Sequence, residues 1–129
     1  MGWNVGDTKE ATVVEDLKRT QIVQYAGASG DYNPLHTDEV FATKVAGYPS
    51  VFAHGMLTMG MTGRAVTDLV GAESLVKFGG RFTSQVWPGD TLTVRATVES
   101  VQDGVVTFAL STVNQDGTEV FSGYAAART

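Results

Sequence analysis

Between Leu75 and Ala127 the sequence is almost entirely strand signal and turn signal, and that leaves few folds open. Leu75 to Val86 is the first stretch. Asp90 to Val101 follows, with Leu92, Val94, Ala96 and Val98 alternating. Gly104 to Asn114 repeats the period with Val106, Phe108 and Leu110, and Glu119 to Ala127 closes the series. An apolar side chain at every second position lines one face of a strand. The breaks are Trp87-Pro88-Gly89-Asp90, Gln102-Asp103-Gly104 and Gln115-Asp116-Gly117. Asp-Gly before a strand is a strong hairpin signal, because both residues tolerate positive φ. This half of the chain therefore predicts antiparallel strands with one apolar face that must be covered.

The first half supplies the cover. Thr8 to Val14 reads as a short strand. Arg19 to Ala26 reads as a short helix with Ile22, Val23 and Ala26 on one face, ended by Gly27-Ala28-Ser29-Gly30. Asp31 to His36 is loop, since Pro34 biases Asn33 away from the helical region. Thr37 to Val45 reads as a helix with Thr37 as N-cap, broken by Gly47-Tyr48-Pro49-Ser50. His54 to Val70 is the long helix. Met56, Met59, Val66, Leu69 and Val70 form its apolar side, and Gly71 suits its end. Gly60 and Gly63 lie inside it and together cost about 1–2 kcal/mol relative to Ala. A sheet lying close to the helix backbone would compensate. One long helix beside a run of antiparallel strands predicts a single α+β domain over residues 1–129.

Composition removes several function classes. A chain of 129 residues buries roughly two-thirds of its unfolded surface, enough for one core. The net charge of −5, with no basic stripe, argues against nucleic acid as a partner. There is no Cys, so zinc-thiolate sites and Cys nucleophiles are excluded. No His pair has metal-ligand spacing, and no dinucleotide or phosphate-loop fingerprint is present. No apolar run approaches the ~20 residues of a membrane helix, and Met1 to Glu10 has no apolar leader core. A cytoplasmic protein without metal or cofactor is the expectation.

Two segments carry chemistry. Asp31 and His36 lie five positions apart around Pro34, which stiffens the backbone between them. A carboxylate and an imidazole converging on one point can bind a water, accept its proton and return a proton to substrate. Asn33 sits between them and would orient the pair. The same residues are also good turn chemistry, with a structural His after it, and residue types alone leave both readings open. The second segment is Ala53-His54-Gly55-Met56, at the start of the long helix. The first turn of a helix has unpaired N–H groups and partial positive charge, and Gly55 would let a thioester carbonyl approach that donor. His54 reads as a positioned structural His rather than a base. Arg64, Lys77 and Arg81 are candidates for a carrier phosphate, and the methionines of the long helix for an acyl tunnel.

Tyr25-Ala26-Gly27-Ala28-Ser29-Gly30-Asp31-Tyr32-Asn33-Pro34-Leu35-His36, with Ala42 six positions on, resembles the hydratase-2 motif of the MaoC-like, (R)-specific enoyl-thioester hydratases. The likeness continues through Ala53-His54-Gly55-Met56-Leu57, Phe82 and Pro88-Gly89-Asp90, and so covers nearly the whole chain. In appearance it is nearest to the small catalytic (3R)-hydroxyacyl dehydratase subunits of mycobacterial fatty-acid elongation. The resemblance implies a hot-dog fold, a long helix wrapped by a curved antiparallel sheet. It implies that Asp31 and His36 activate water for syn addition across a trans-2-enoyl thioester of CoA or acyl carrier protein. Asn33 matches the supporting amide and Gly55 the N–H that polarises the thioester carbonyl. It also implies a homodimer, or a heterodimer with a related subunit. Two positions depart from the pattern. Ala28 stands where Gly or a larger aliphatic residue is usual, and Gly63 stands where some members carry Ser, with Thr62 beside it.

Two other functions compete on the same fold. A hot-dog thioesterase would place an acid on the long helix near the thioester, but the stretch His54 to Thr67 has none and Asp68 comes near its far end. A non-catalytic partner subunit need not keep the Asp/His pair, and this chain keeps both residues.

Overall fold

The structure is a computed structural model that describes residues 2–129. Its elements run β1 (Thr8–Val14), α1 (Arg19–Ser29), a π-helical turn (Phe41–Val45), α2 (Gly55–Val70), a 3-10 turn (Ala72–Ser74), β2 (Leu75–Phe82), β3 (Leu92–Gln102), β4 (Val105–Val113) and β5 (Glu119–Arg128). The strands form one sheet in the order β1-β3-β4-β5-β2, antiparallel at every pairing. Leu92, Val94, Ala96 and Val98 of β3 and Val106, Phe108 and Leu110 of β4 are buried, as the period-2 pattern predicts. Asp103 and Gly104 both take positive φ, at 53° and 76°, in the two-residue β3–β4 hairpin. That is the twist a type I′ turn supplies. The apolar face packs on α2 through Val66, with Leu69, Val70 and Phe78 around it. A second apolar cluster joins Leu17, Ile22, Ala53, Val86, Leu92 and Val120, and so ties α1 and the entry to α2 onto the sheet. No helix among the described residues is long and apolar enough to cross a membrane.

Several boundaries depart from the sequence reading, each for a local reason. Helix α1 continues through Gly27, Ala28 and Ser29 and stops only at Gly30, whose φ of 75° lets its N–H donate to the Ala26 carbonyl. Val23 faces solvent, while Ile22 and Ala26 are buried. The next helix does not start at Thr37. Asp38 is the cap instead, its carboxylate accepting the Phe41 N–H at 3.1 Å, and Phe41 to Val45 then wind as a π turn. Strand β2 ends at Phe82 rather than Val86. Residues 83–86 peel away, with Val86 accepting the Ala53 N–H at 2.8 Å.

The apolar side expected for α2 is only half right. Met56 is 55% exposed, and the buried stripe is Thr58, Thr62 and Val66. The Thr62 hydroxyl can be buried there because it donates to the Thr58 carbonyl at 3.0 Å and meets the Thr112 hydroxyl at 2.7 Å. Of the two glycines inside α2, Gly63 meets the expected close approach. A Cβ there would lie 3.1 Å from the Phe78 ring of β2, whereas Gly60 faces open space.

Candidate active site

The loop from Gly30 to His36 is shaped by its own side chains. The Ser29 hydroxyl accepts the Asp31 N–H, an Asp31 carboxylate oxygen accepts the Asn33 N–H at 3.3 Å, and the Asn33 side-chain oxygen accepts the Leu35 N–H at 3.0 Å. These are Asx-type turns, in which a short polar side chain mimics backbone. Asn33 therefore holds the main chain of the loop rather than the side chains of Asp31 and His36. These turns use Asp31 Oδ1 and leave Oδ2 and the His36 ring out of their hydrogen bonds. Pro34 starts the turn that carries His36, whose N–H donates to the Asn33 carbonyl.

The His36 ring is fixed by three contacts, two from Phe52 and one from His54. Nδ1 lies 2.6 Å from the Phe52 carbonyl oxygen. A carbonyl only accepts, so Nδ1 carries the hydrogen and, in the neutral ring, Nε2 holds the free lone pair. The Phe52 ring meets His36 edge-on at 5.2 Å, and the His54 ring stacks on it at 3.8 Å and 26°. Burial, the largest influence, lowers the His36 pKa from 6.5. The Phe52 carbonyl raises it, His54 lowers it and Asp31 raises it, and the net direction is down. The neutral base form is thus favoured.

Asp31, His36 and His54 each bring one ligand-type atom within 4.8 Å of the others. A single water can bridge two such groups, since two hydrogen bonds of about 2.8 Å span that gap.

His54 caps α2 with φ −62° and ψ 138°, and Gly55 opens the helix. The Gly55 N–H therefore has no intrahelical acceptor. Gly55 lies in the wall of a cleft of about 370 Å³, lined also by Phe52, Thr58, Phe82, Gln85 and Val120. Asp31 and His36 do not line this cleft. Phe52 connects the two, since it lines the cleft and its carbonyl and ring both meet His36. A Cβ on Gly55 would lie 3.0 Å from the Phe82 ring, so only Gly leaves this approach open without moving that ring.

A family model described as MaoC like domain matches residues 3–119. The chain belongs to the MaoC-like family. Its MaoC-like domain is 38% identical over 94 residues to 3-hydroxyacyl-thioester dehydratase Y of Mycobacterium tuberculosis, covering 70% of this chain and 32% of that protein. It is also 38% identical over 94 residues to the peroxisomal enoyl-CoA hydratase 2 of Arabidopsis thaliana, covering 70% of this chain and 30% of that protein. The chain thus spans about a third of the length of these relatives. Among solved structures, the R-hydratase PhaJ1 of Pseudomonas aeruginosa superposes with a TM-score of 0.85 at 27% identity, over 98% of this chain and 82% of that one. The ChsH1-ChsH2 complex of Mycobacterium tuberculosis gives 0.82 at 25% identity, over 98% of both chains. The fold of the MaoC-like domain is the hot dog that the sequence motif implies.

The remaining candidates of the MaoC-like domain are scattered. Arg64 pairs with Asp68 at 3.8 Å, Lys77 stands 5.3 Å over the Tyr124 ring, and neither they nor Arg81 line the Gly55 cleft. The Phe78 ring occupies the space beside Gly63 where a Ser side chain would project. Thr62 does not replace that Ser, since its hydroxyl is committed to Thr58 and Thr112. Sequence reasoning missed Thr58, which is buried and lines the cleft. It also missed the Phe52 carbonyl, which no residue-type pattern reveals.

Proposed function

We propose that this chain reversibly hydrates trans-2-enoyl thioesters of CoA or acyl carrier protein to (R)-3-hydroxyacyl thioesters, as part of fatty-acid metabolism. The observation that carries the reading is the His36 ring, with Nδ1 tied to Phe52 and Nε2 free, beside the Asp31 carboxylate. In the hydration direction a water sits between the two groups. Its oxygen bonds to the β-carbon while Nε2 of His36 takes one of its protons. Asp31 accepts a hydrogen bond from the other. The thioester oxygen gains negative charge, and the Gly55 N–H at the positive end of α2 stabilises it. The proton on His36 then passes to the α-carbon on the same face, so the addition is syn and the imidazole returns to its starting form. Asn33 supports the loop.

Asp31→Asn and His36→Gln are each expected to fold as the parent does and to lose about 10²–10⁴-fold in crotonyl-CoA hydration, followed by loss of enoyl-thioester absorbance. Full activity in either variant, or none in the parent, sinks the reading. Release of free thiol from an acyl-CoA would instead signal a thioesterase. The acid of α2, Asp68, stands in its last turn and is engaged with Arg64. We also propose a cytoplasmic protein and the pairing of two such domains, alike or related. The edge strand β2 supports pairing, with Val76 and Phe82 left 43% and 48% exposed.

A further inference from the structure

His54 is buried to 2% exposure, yet it is an imidazole where a Leu or Phe would fill the same space. Its Nε2 lies 3.0 Å from the backbone carbonyl of Asp31, so Nε2 carries the hydrogen and donates it. Its Nδ1 is buried and has no partner among the described residues. A buried nitrogen without a partner is unfavourable, so packing alone does not account for a His here. The ring lies between the Tyr25 ring, edge-on at 4.9 Å, and the His36 ring, stacked at 3.8 Å. One side chain thus touches both halves of the water-activating pair.

We infer that His54 is a positioning residue that sets the Asp31 main chain with its Nε2–H and the plane of the His36 ring with its face. This rests on the hydration reading above. The donor bond spans from the α2 cap to the loop, so Asp31 is registered against the helix that carries Gly55. The stack blocks rotation of His36, whose other anchors are the bond to the Phe52 carbonyl and the edge-on contact with the Phe52 ring. A half-turn of that ring would exchange Nδ1 with Cδ2 and Nε2 with Cε1, and so break the Phe52 bond and take the free lone pair away from the water. The stack also covers one face of His36, whose pKa is lowered first by burial, and the charge of His54 lowers it further. The titratable groups facing His36 are Asp31 from the loop and His54 from α2, and Phe52 adds its carbonyl and ring.

Two substitutions separate the roles. His54→Gln keeps an N–H donor for the Asp31 carbonyl and removes the stacked ring. His54→Phe keeps the ring and removes the donor. With crotonyl-CoA, the Gln variant is expected to move the acid limb of the kcat/KM profile upward toward pH 6.5, because His36 loses cover. The Phe variant is expected to lower kcat by about tenfold or more through a displaced Asp31, with KM within about threefold. Nitrogen NMR of the His36 ring reads the same pKa rise in the Gln variant without any turnover. Profiles that superpose on the parent in both variants, with His36 titrating unchanged, overturn the inference. Loss of the folded circular dichroism spectrum in both variants overturns it too, since His54 would then be plain core. A parent that hydrates no enoyl thioester refutes the hydration reading instead, and the NMR shift still decides the stacking.

Discussion

The hydroxyl pair between α2 and β4 gives a test of the packing that carries Gly55. Thr62 and Thr112 are both fully buried, with their oxygens 2.7 Å apart. Thr62 gives its hydrogen to the Thr58 carbonyl at 3.0 Å, so Thr112 must be the donor to Thr62. The two truncations are then unequal. Thr112→Val removes one hydrogen bond and leaves the Thr62 hydroxyl still donating, at a cost of about 0.5–1.5 kcal/mol. Thr62→Val strands the Thr112 hydroxyl in a dry interior, at about 1–3 kcal/mol. The double Val variant leaves no polar group behind, and its total cost is expected to be within about 1 kcal/mol of the parent. Urea unfolding at one protein concentration, with equal slopes in all four proteins, measures the cycle. The expected coupling is about 1–3 kcal/mol, the double variant being less destabilised than the sum. Additivity within about 0.5 kcal/mol, or a costlier Thr112→Val, refutes the assigned donor order.

Two further outcomes bear on the site. His36 has a folded pKa below 6.5, so as pH falls from 6.5 the native state takes up fewer protons than the unfolded state, and stability declines until pH reaches that folded value. The acid limb of hydration should fall in the same window, below 6.5. His36→Gln should remove the stability slope, measured by denaturant titration across pH, and an unchanged slope refutes the assignment. Gly55→Ala and Gly55→Pro both set a Cβ 3.0 Å from the half-exposed Phe82 ring, but only Pro deletes the N–H. His54 already has the extended ψ of 138° that a following Pro requires, and Pro suits the first helical position. The Pro variant should therefore lose about 10²–10³-fold in kcat relative to the Ala variant, and equal rates would rule out Gly55 as the carbonyl donor.

The strands were legible because each carries its own evidence. Alternating apolar residues from Leu92 to Leu110 must face one way, and Asp103-Gly104 must turn. The start of α2 at Gly55 and the loop residues Asp31, Asn33 and His36 were legible for the same reason, as local chemistry at fixed spacing. Helix edges were read less well where a side chain made the choice. Asp38 rather than Thr37 caps because its carboxylate reaches the Phe41 N–H. The face of α2 was misread because Thr58 and Thr62 count as polar in any pattern, while Thr112, fifty residues on, satisfies the Thr62 hydroxyl.

The sequence by itself determined the antiparallel sheet, the helix laid on it and the residue types of the loop from Gly30 to His36. Those follow from periodicity and turn chemistry within a few neighbouring positions. Only the tertiary structure decided which nitrogen of His36 is free, because that depends on a backbone carbonyl at Phe52 that no side-chain identity announces. It likewise decided that His54 stacks on His36 and holds Asp31, since the α2 cap and the loop meet only when the second apolar cluster closes around Leu17, Ile22 and Ala53. Contacts between segments far apart in sequence are set by the packing of the whole, and it is there that a turn containing an Asp and a His becomes a site.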